Sequence, residues 1–138
     1  MPDTEAKYLK RKTPEETVYR GLDTFPKPDT VTSVRMTSDE VTAICPITGQ
    51  PDWYLVIIRY NPDKLCVESK SLKLYYHSLR SEGAFCEHLA TSILKEVVEA
   101  CKPRFCSVTV TQKSRGGISV ESVSEYTALN PKKENDHG

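Results

Sequence analysis

Hydrophobic spacing changes twice along this chain, and that change limits the folds open to it more than any single residue does. The segments "TVTSVRMTSDEVTAICP" and "WYLVIIRYNP" carry β-branched and aromatic residues near period two. They predict two strands, the first broken at Thr-Ser-Asp-Glu and the second closing at Asn61-Pro62. From Ser71 to Ala100 the period becomes helical, with Leu72, Tyr75, Tyr76 and Leu79 on one face and Leu89, Ile93, Val97 and Ala100 on another. Gly83 separates the two, which favours two helices over one rod. After Pro103, "RFCSVTVTQK" and "GGISVESVSEY" return to period two around Ser114-Arg115-Gly116-Gly117, a second hairpin. Strand, strand, helix, helix, strand, strand is the order of an α+β fold, a four-stranded antiparallel sheet with its helices on one face.

The flanks read differently. Residues 1–29 are charged, spotted with Pro2, Pro14, Pro26 and Pro28 and poor in apolar periodicity, so an N-terminal arm is expected, partly ordered. The folded unit is expected over residues 30–128 and a flexible tail over 129–138. Lys and Arg total 19 and Asp and Glu total 19, so no net charge draws the chain to nucleic acid or anionic membrane. No apolar run approaches the roughly 18 residues of a membrane span, and "MPDTEAKYLKRKTPEET" lacks a secretory apolar segment. A cytoplasmic protein with no direct nucleic-acid or membrane partner is expected. Cys45, Cys66, Cys86, Cys101 and Cys106 are odd in number and form no CxxC pair, so free thiols are expected and no metal site.

One turn stands apart, "AICPITGQPDWYLV", which puts Cys45 and Asp52 at its two ends. Taken with "CVESKSLKLYYHSLRSEGAFCEHL" and "SRGGISV", it closely resembles the nitrile reductases that convert 7-cyano-7-deazaguanine to its aminomethyl form in queuosine biosynthesis and tRNA modification, over about residues 31–125. The resemblance implies a tunnelling fold, in which ββααββ protomers form homo-oligomeric rings with active sites between subunits. It also implies NADPH as cofactor and a small deazaguanine as substrate. Cys45 would add to the nitrile carbon, giving a covalent thioimidate that divides one hard step into easier ones. Asp52 would deliver the proton that nitrogen needs.

By the same resemblance Val67, Glu68, Ser69, Cys86 and Glu87 would bind substrate, and Lys70, Lys73, Arg115 and Gly116 the nucleotide. A carboxylate such as Glu68 can accept two N–H groups of a guanine-like edge. Ser69, just before a helix, equally suits a helix cap. Lys70 and Lys73 share one helical face, a pattern that also serves a plain solvated surface. The resembling enzymes carry His-Glu where this chain has Cys86-Glu87, and His88 falls two residues away. Cys86 is open to two readings, a buried packing residue or a neighbour of Cys45. Two other functions stay open, an amidine-forming transferase acting on the nitrile in tRNA and a noncatalytic purine-binding ring protein.

Overall fold

Alternating burial turns the apolar segments into one sheet with a covered and an open face. The computed structural model describes residues 18–129. Its elements run β1 (Thr24–Pro26), β2 (Val34–Ile44), β3 (Pro51–Asn61), β4 (Leu65–Val67), α1 (Ser69–Ser78), a 3-10 turn at Leu79–Ser81, α2 (Cys86–Cys101), β5 (Phe105–Arg115) and β6 (Ile118–Thr127). The main sheet has the order β2-β3-β5-β6, antiparallel throughout. The apolar β3 is therefore an inner strand, as its composition requires. On it Tyr54, Val56, Ile58 and Tyr60 point to the helices, while Trp53, Leu55, Ile57 and Arg59 point away. No helix covers that second face among the described residues, and Trp53 remains 51% exposed there.

The break expected inside β2 is a register shift between Ser38 and Val41, a bulge that leaves the strand continuous from Val34 to Ile44. Val41 and Ala43 then share the helix face with Tyr54 and Asp52, their partners on β3. The β5–β6 hairpin turns on Gly116 (φ 58°) and Gly117 (φ 78°), the left-handed pair that a tight two-residue hairpin demands.

α2 lies across β5 and β6 and buries Leu89, Ile93 and Val97. Burial of each such side chain is worth about 1.5–3 kcal/mol. The helix stops at Lys102, which takes a left-handed conformation (φ 46°) just before Pro103. The link around Gly83 is docked, since Ile44 N–H donates to Glu82 O at 2.8 Å and Ala84 N–H to Ile44 O at 3.1 Å.

Two short strands depart from the expected order. β1 pairs with β4 from Thr24↔Val67 to Pro26↔Leu65 and forms a separate two-stranded sheet. Tyr19 also packs on Tyr75, ring centroids 5.0 Å apart. The folded unit thus reaches back beyond residue 30, and the arm expected over 1–29 is corrected for residues 18–29. Three-residue strands, one ending in proline, carry too little periodicity to be read. Residues 1–17 and the tail from Asn130 lie outside the described residues.

Candidate active site

The β2–β3 turn brings Cys45 and Asp52 to one end of the sheet. Cys45 N–H donates to Gln50 O at 2.8 Å and Gly49 N–H to Cys45 O at 2.9 Å, closing the loop, with Gly49 left-handed at φ 71°. Both side chains are shielded, Cys45 being 6% exposed and Asp52 3%. The Cys45 thiol is pulled down from its ordinary 9.0 to about 7, chiefly by the Thr48 hydroxyl, then by the backbone of Thr48 and Ile47, against a small opposing effect of burial; Arg115 adds to the same side. A substantial fraction is therefore thiolate near neutrality, the form that attacks electrophiles.

Arg115 enters this site from the far end of β5. Its Nη1 lies 2.7 Å from Asp52 Oδ1, although the approach is not aligned as a hydrogen bond. With its amide oxygen turned toward the guanidinium, Gln112 accepts from Arg115 Nε at 3.1 Å. The Arg115 side chain is 48% exposed, so it covers Asp52 from the solvent side. Gly116 follows in the hairpin turn, where its left-handed backbone aims the strand end.

A second group gathers at the start of α1. Glu68, not Ser69, is the helix cap: its carboxylate accepts from Lys70 N–H and Ser71 N–H, both at 2.7 Å. These bonds, Ser71 first, hold its pKa below the usual carboxylate value. The cap reading of Ser69 is corrected, since Ser69 is the first helical residue. Val67 is a core side chain, and its N–H donates to the Tyr60 hydroxyl at 2.8 Å. Lys70 and Lys73, with Ser69, His77 and Arg80, line a groove of about 720 Å³ between α1 and the edge strand β2, where Glu40 supplies an opposing charge. Cys45, Asp52 and Arg115 do not line it. Within one chain, then, Arg115 stands with the reactive turn and apart from the two lysines it was grouped with.

Cys86 opens α2 as a buried residue whose thiol donates to Val110 O at 3.3 Å and approaches Val120 O at 3.7 Å. Burial pushes its pKa up, so it is no second nucleophile of the Cys45 kind. Glu87 is exposed in the first turn of α2. Spacing gave no hint of Thr48 or Gln112. Thr48 sits inside the quoted turn, and only its hydrogen bonding singles it out; Gln112 depends on strand register.

The groove offers Lys70, Lys73 and Arg80 as cations that suit an anionic group, and the Tyr76 hydroxyl, buried without a partner among the described residues. Comparison with known proteins gives this arrangement its context. The family model described as "QueF-like protein" matches residues 51–131. An NADPH-dependent 7-cyano-7-deazaguanine reductase of Frankia casuarinae is 47% identical over 113 residues, covering 82% of this chain and 90% of the relative. One of the same name from Syntrophus aciditrophicus is 50% identical over 109 residues, 78% of each chain. Among solved structures, the archaeosine synthase QueF-Like in its apo form superposes with a TM-score of 0.68 at 26% identity, over 74% of this chain and 100% of that one. Turn, sheet order and sequence agree: this chain belongs to the QueF-like family, among the NADPH-dependent 7-cyano-7-deazaguanine reductases.

Proposed function

We propose that this chain reduces the nitrile of 7-cyano-7-deazaguanine to 7-aminomethyl-7-deazaguanine, with NADPH as reductant and Cys45 as covalent nucleophile. The observation that carries it is the β2–β3 turn, where hydrogen bonds from Thr48 lower the Cys45 thiol to about 7 and Asp52 faces the same end of the sheet. The thiolate forms a C–S bond to the nitrile carbon as one C–N π pair moves to nitrogen. Asp52 supplies the proton that nitrogen takes up, leaving a neutral thioimidate. NADPH supplies hydride, two electrons at a time. Cys45 holds the carbon in place for the first reduction and leaves as thiolate before the second, with protons again reaching nitrogen through Asp52. Lys70 and Lys73 bind phosphate along α1, and Arg115, once it leaves Asp52, offers a further cation from the reactive turn. Glu68, Ser69, Cys86 and Glu87 shape the base site, Glu68 through lone pairs its cap leaves unused, and Val67 contributes by packing.

Archaeosine synthase, the structural neighbour, keeps the second reading in view, attack on the thioimidate by an amine in place of hydride. The reductases are nearer in sequence, at 47% and 50% identity against 26%, and the presence of the cations Lys70, Lys73 and Arg115 supports a nucleotide cofactor. A cytoplasmic ring of subunits with no nucleic-acid partner completes the proposal. Among the described residues β2 and β6 each pair on one side only, and unpaired edges favour association. No helix in the described residues is long and apolar enough to cross a membrane. The deciding experiment follows NADPH absorbance with the free nitrile base. Nitrile to amine takes four electrons, so two NADPH should vanish per amine formed. One per product, or none with an amidine appearing on added ammonia, would overturn the reductase reading.

A further inference from the structure

One buried hydroxyl at the turn has no part in the steps above. Tyr54 lies two residues after Asp52 on β3, so both side chains point to the helix-covered face. Its strand partners are Val41 on β2 and Gln112 on β5, the same glutamine that holds Arg115. Tyr54 is 0% exposed, and its Oη has no hydrogen-bond partner among the described residues. Tyr60, on the same face of the same strand, is equally buried, yet its hydroxyl accepts from Val67 N–H at 2.8 Å. The strand thus satisfies one phenol and leaves the other bare. Folding does not recover the desolvation cost of such a group, and native proteins keep few of them.

The groups around Tyr54 narrow what the hydroxyl is for. Burial first, then the Asp52 carboxylate, raise the phenol to about 12, with Cys86 and Cys45 adding to the rise and Arg115 opposing it. It therefore stays protonated, a donor at any working pH. Cys86 has spent its thiol proton on Val110 O. Asp52 Oδ1 is the other buried atom here without a hydrogen bond. Tyr54 Oη is thus a fixed donor without a partner, two residues along the same strand face from Asp52, whose Oδ1 is ion-paired with Arg115 at 2.7 Å and is open to a ligand only when Arg115 moves aside.

We propose that the Tyr54 hydroxyl is a further catalytic residue, a neutral hydrogen-bond donor to the reacting nitrogen of the nitrile substrate, beside Asp52. As the Cys45–carbon bond forms and a π pair moves to nitrogen, Asp52 gives the proton and Tyr54 keeps its own. Its hydrogen bond steadies the charge that builds on nitrogen at this addition and at each later delivery of hydride. Because no proton leaves Tyr54, none must be returned to it. The proposal requires the half-exposed Arg115 side chain, which covers Asp52, to move aside when substrate enters. The inference rests on the roles assigned to Cys45 and Asp52 above.

Tyr54→Phe removes one orphaned oxygen and no packing. Turnover and the rate of Cys45 adduct formation without NADPH should both fall by about 10²-fold, as for loss of one preorganised donor. The Michaelis constant for NADPH should hold, and the thermal midpoint should equal or exceed that of wild type. Wild-type rates in the variant would overturn the role. So would a lowered midpoint or failure to fold, because the hydroxyl would then serve the structure. Wild type is run alongside: if it neither forms an adduct nor oxidises NADPH, the reductase reading itself fails, whereas an active wild type matched by Tyr54→Phe removes Tyr54 alone.

Discussion

The reactive turn and the α1 groove are built on opposite plans. At the turn, Thr48, Ile47 and Arg115 all bear on one sulfur, and Cys45 and Asp52 are both nearly closed off from solvent. Along α1 and the 3-10 turn after it, Lys70, Lys73, His77 and Arg80 are exposed side chains lining an open groove. Covalent chemistry tolerates little error in position, and the proposed nucleophile Cys45 is held in a closed loop of six residues between two strands. Phosphate binding by long flexible cations can be completed on arrival of the ligand. On the proposed reading, one chain is preorganised for bond making and less so for cofactor binding.

The largest effect expected from this contrast is at the turn. Cys45→Ala should lose turnover entirely and show no mass increase with 7-cyano-7-deazaguanine, while wild type gains one ligand. A mixture of Cys45→Ala with Glu68→Ala chains should regain part of the activity on co-assembly, if turn and α1 of different subunits form one site. No recovery, with each variant still assembled, would mean that both regions serve the same site within one chain and that the contrast is only apparent.

At the groove the effect should be smaller and of another kind. Lys70→Ala with Lys73→Ala should raise the Michaelis constant for NADPH by roughly 10- to 100-fold, the scale of lost hydrogen bonds between charged groups. The rate of adduct formation should not change. A slowed adduct would show that the two regions are coupled before the cofactor arrives.

The smallest effect sharpens the account of the turn itself. Below about 7 the Cys45 thiol is protonated and slow, above it a thiolate and fast, so the adduct rate should rise as pH passes through about 7. Thr48→Val removes the largest cause of that lowering, and the midpoint should move up toward the ordinary 9.0. An unmoved midpoint would transfer the effect to the backbone of Thr48 and Ile47.

Long elements and long motifs were legible in the sequence, and what depends on register was not. The change of period located both helices and the four strands of the main sheet, and Gly116-Gly117 marked the hairpin. Cys45 and Asp52 were legible because eight residues of one turn carry the motif. β1 and β4 escaped, since three residues cannot show a period. Glu68 was read for its carboxylate and Ser69 for its cap, yet the backbone N–H groups that Glu68 meets became evident only with α1 in place. Tyr54 sits in an apolar run and looks like core; only the missing partner of its hydroxyl separates it from Tyr60.

The small β1–β4 sheet ties distant parts of the chain into one unit of local opening. Glu68 N–H donates to Asp23 O at 2.8 Å and Asp23 N–H to Ser71 Oγ at 2.9 Å, directly beneath the first turn of α1. Residues 23–26 and 65–71 must therefore open together, as a cooperative patch far weaker than the main sheet. Amide hydrogens in both stretches should exchange at a common rate, faster than those of β3. If phosphate binds at Lys70 as proposed, it steadies the N-terminal strand some forty residues earlier in the sequence, and slowed exchange at Thr24 and Phe25 becomes a reporter of cofactor binding that never touches the cofactor.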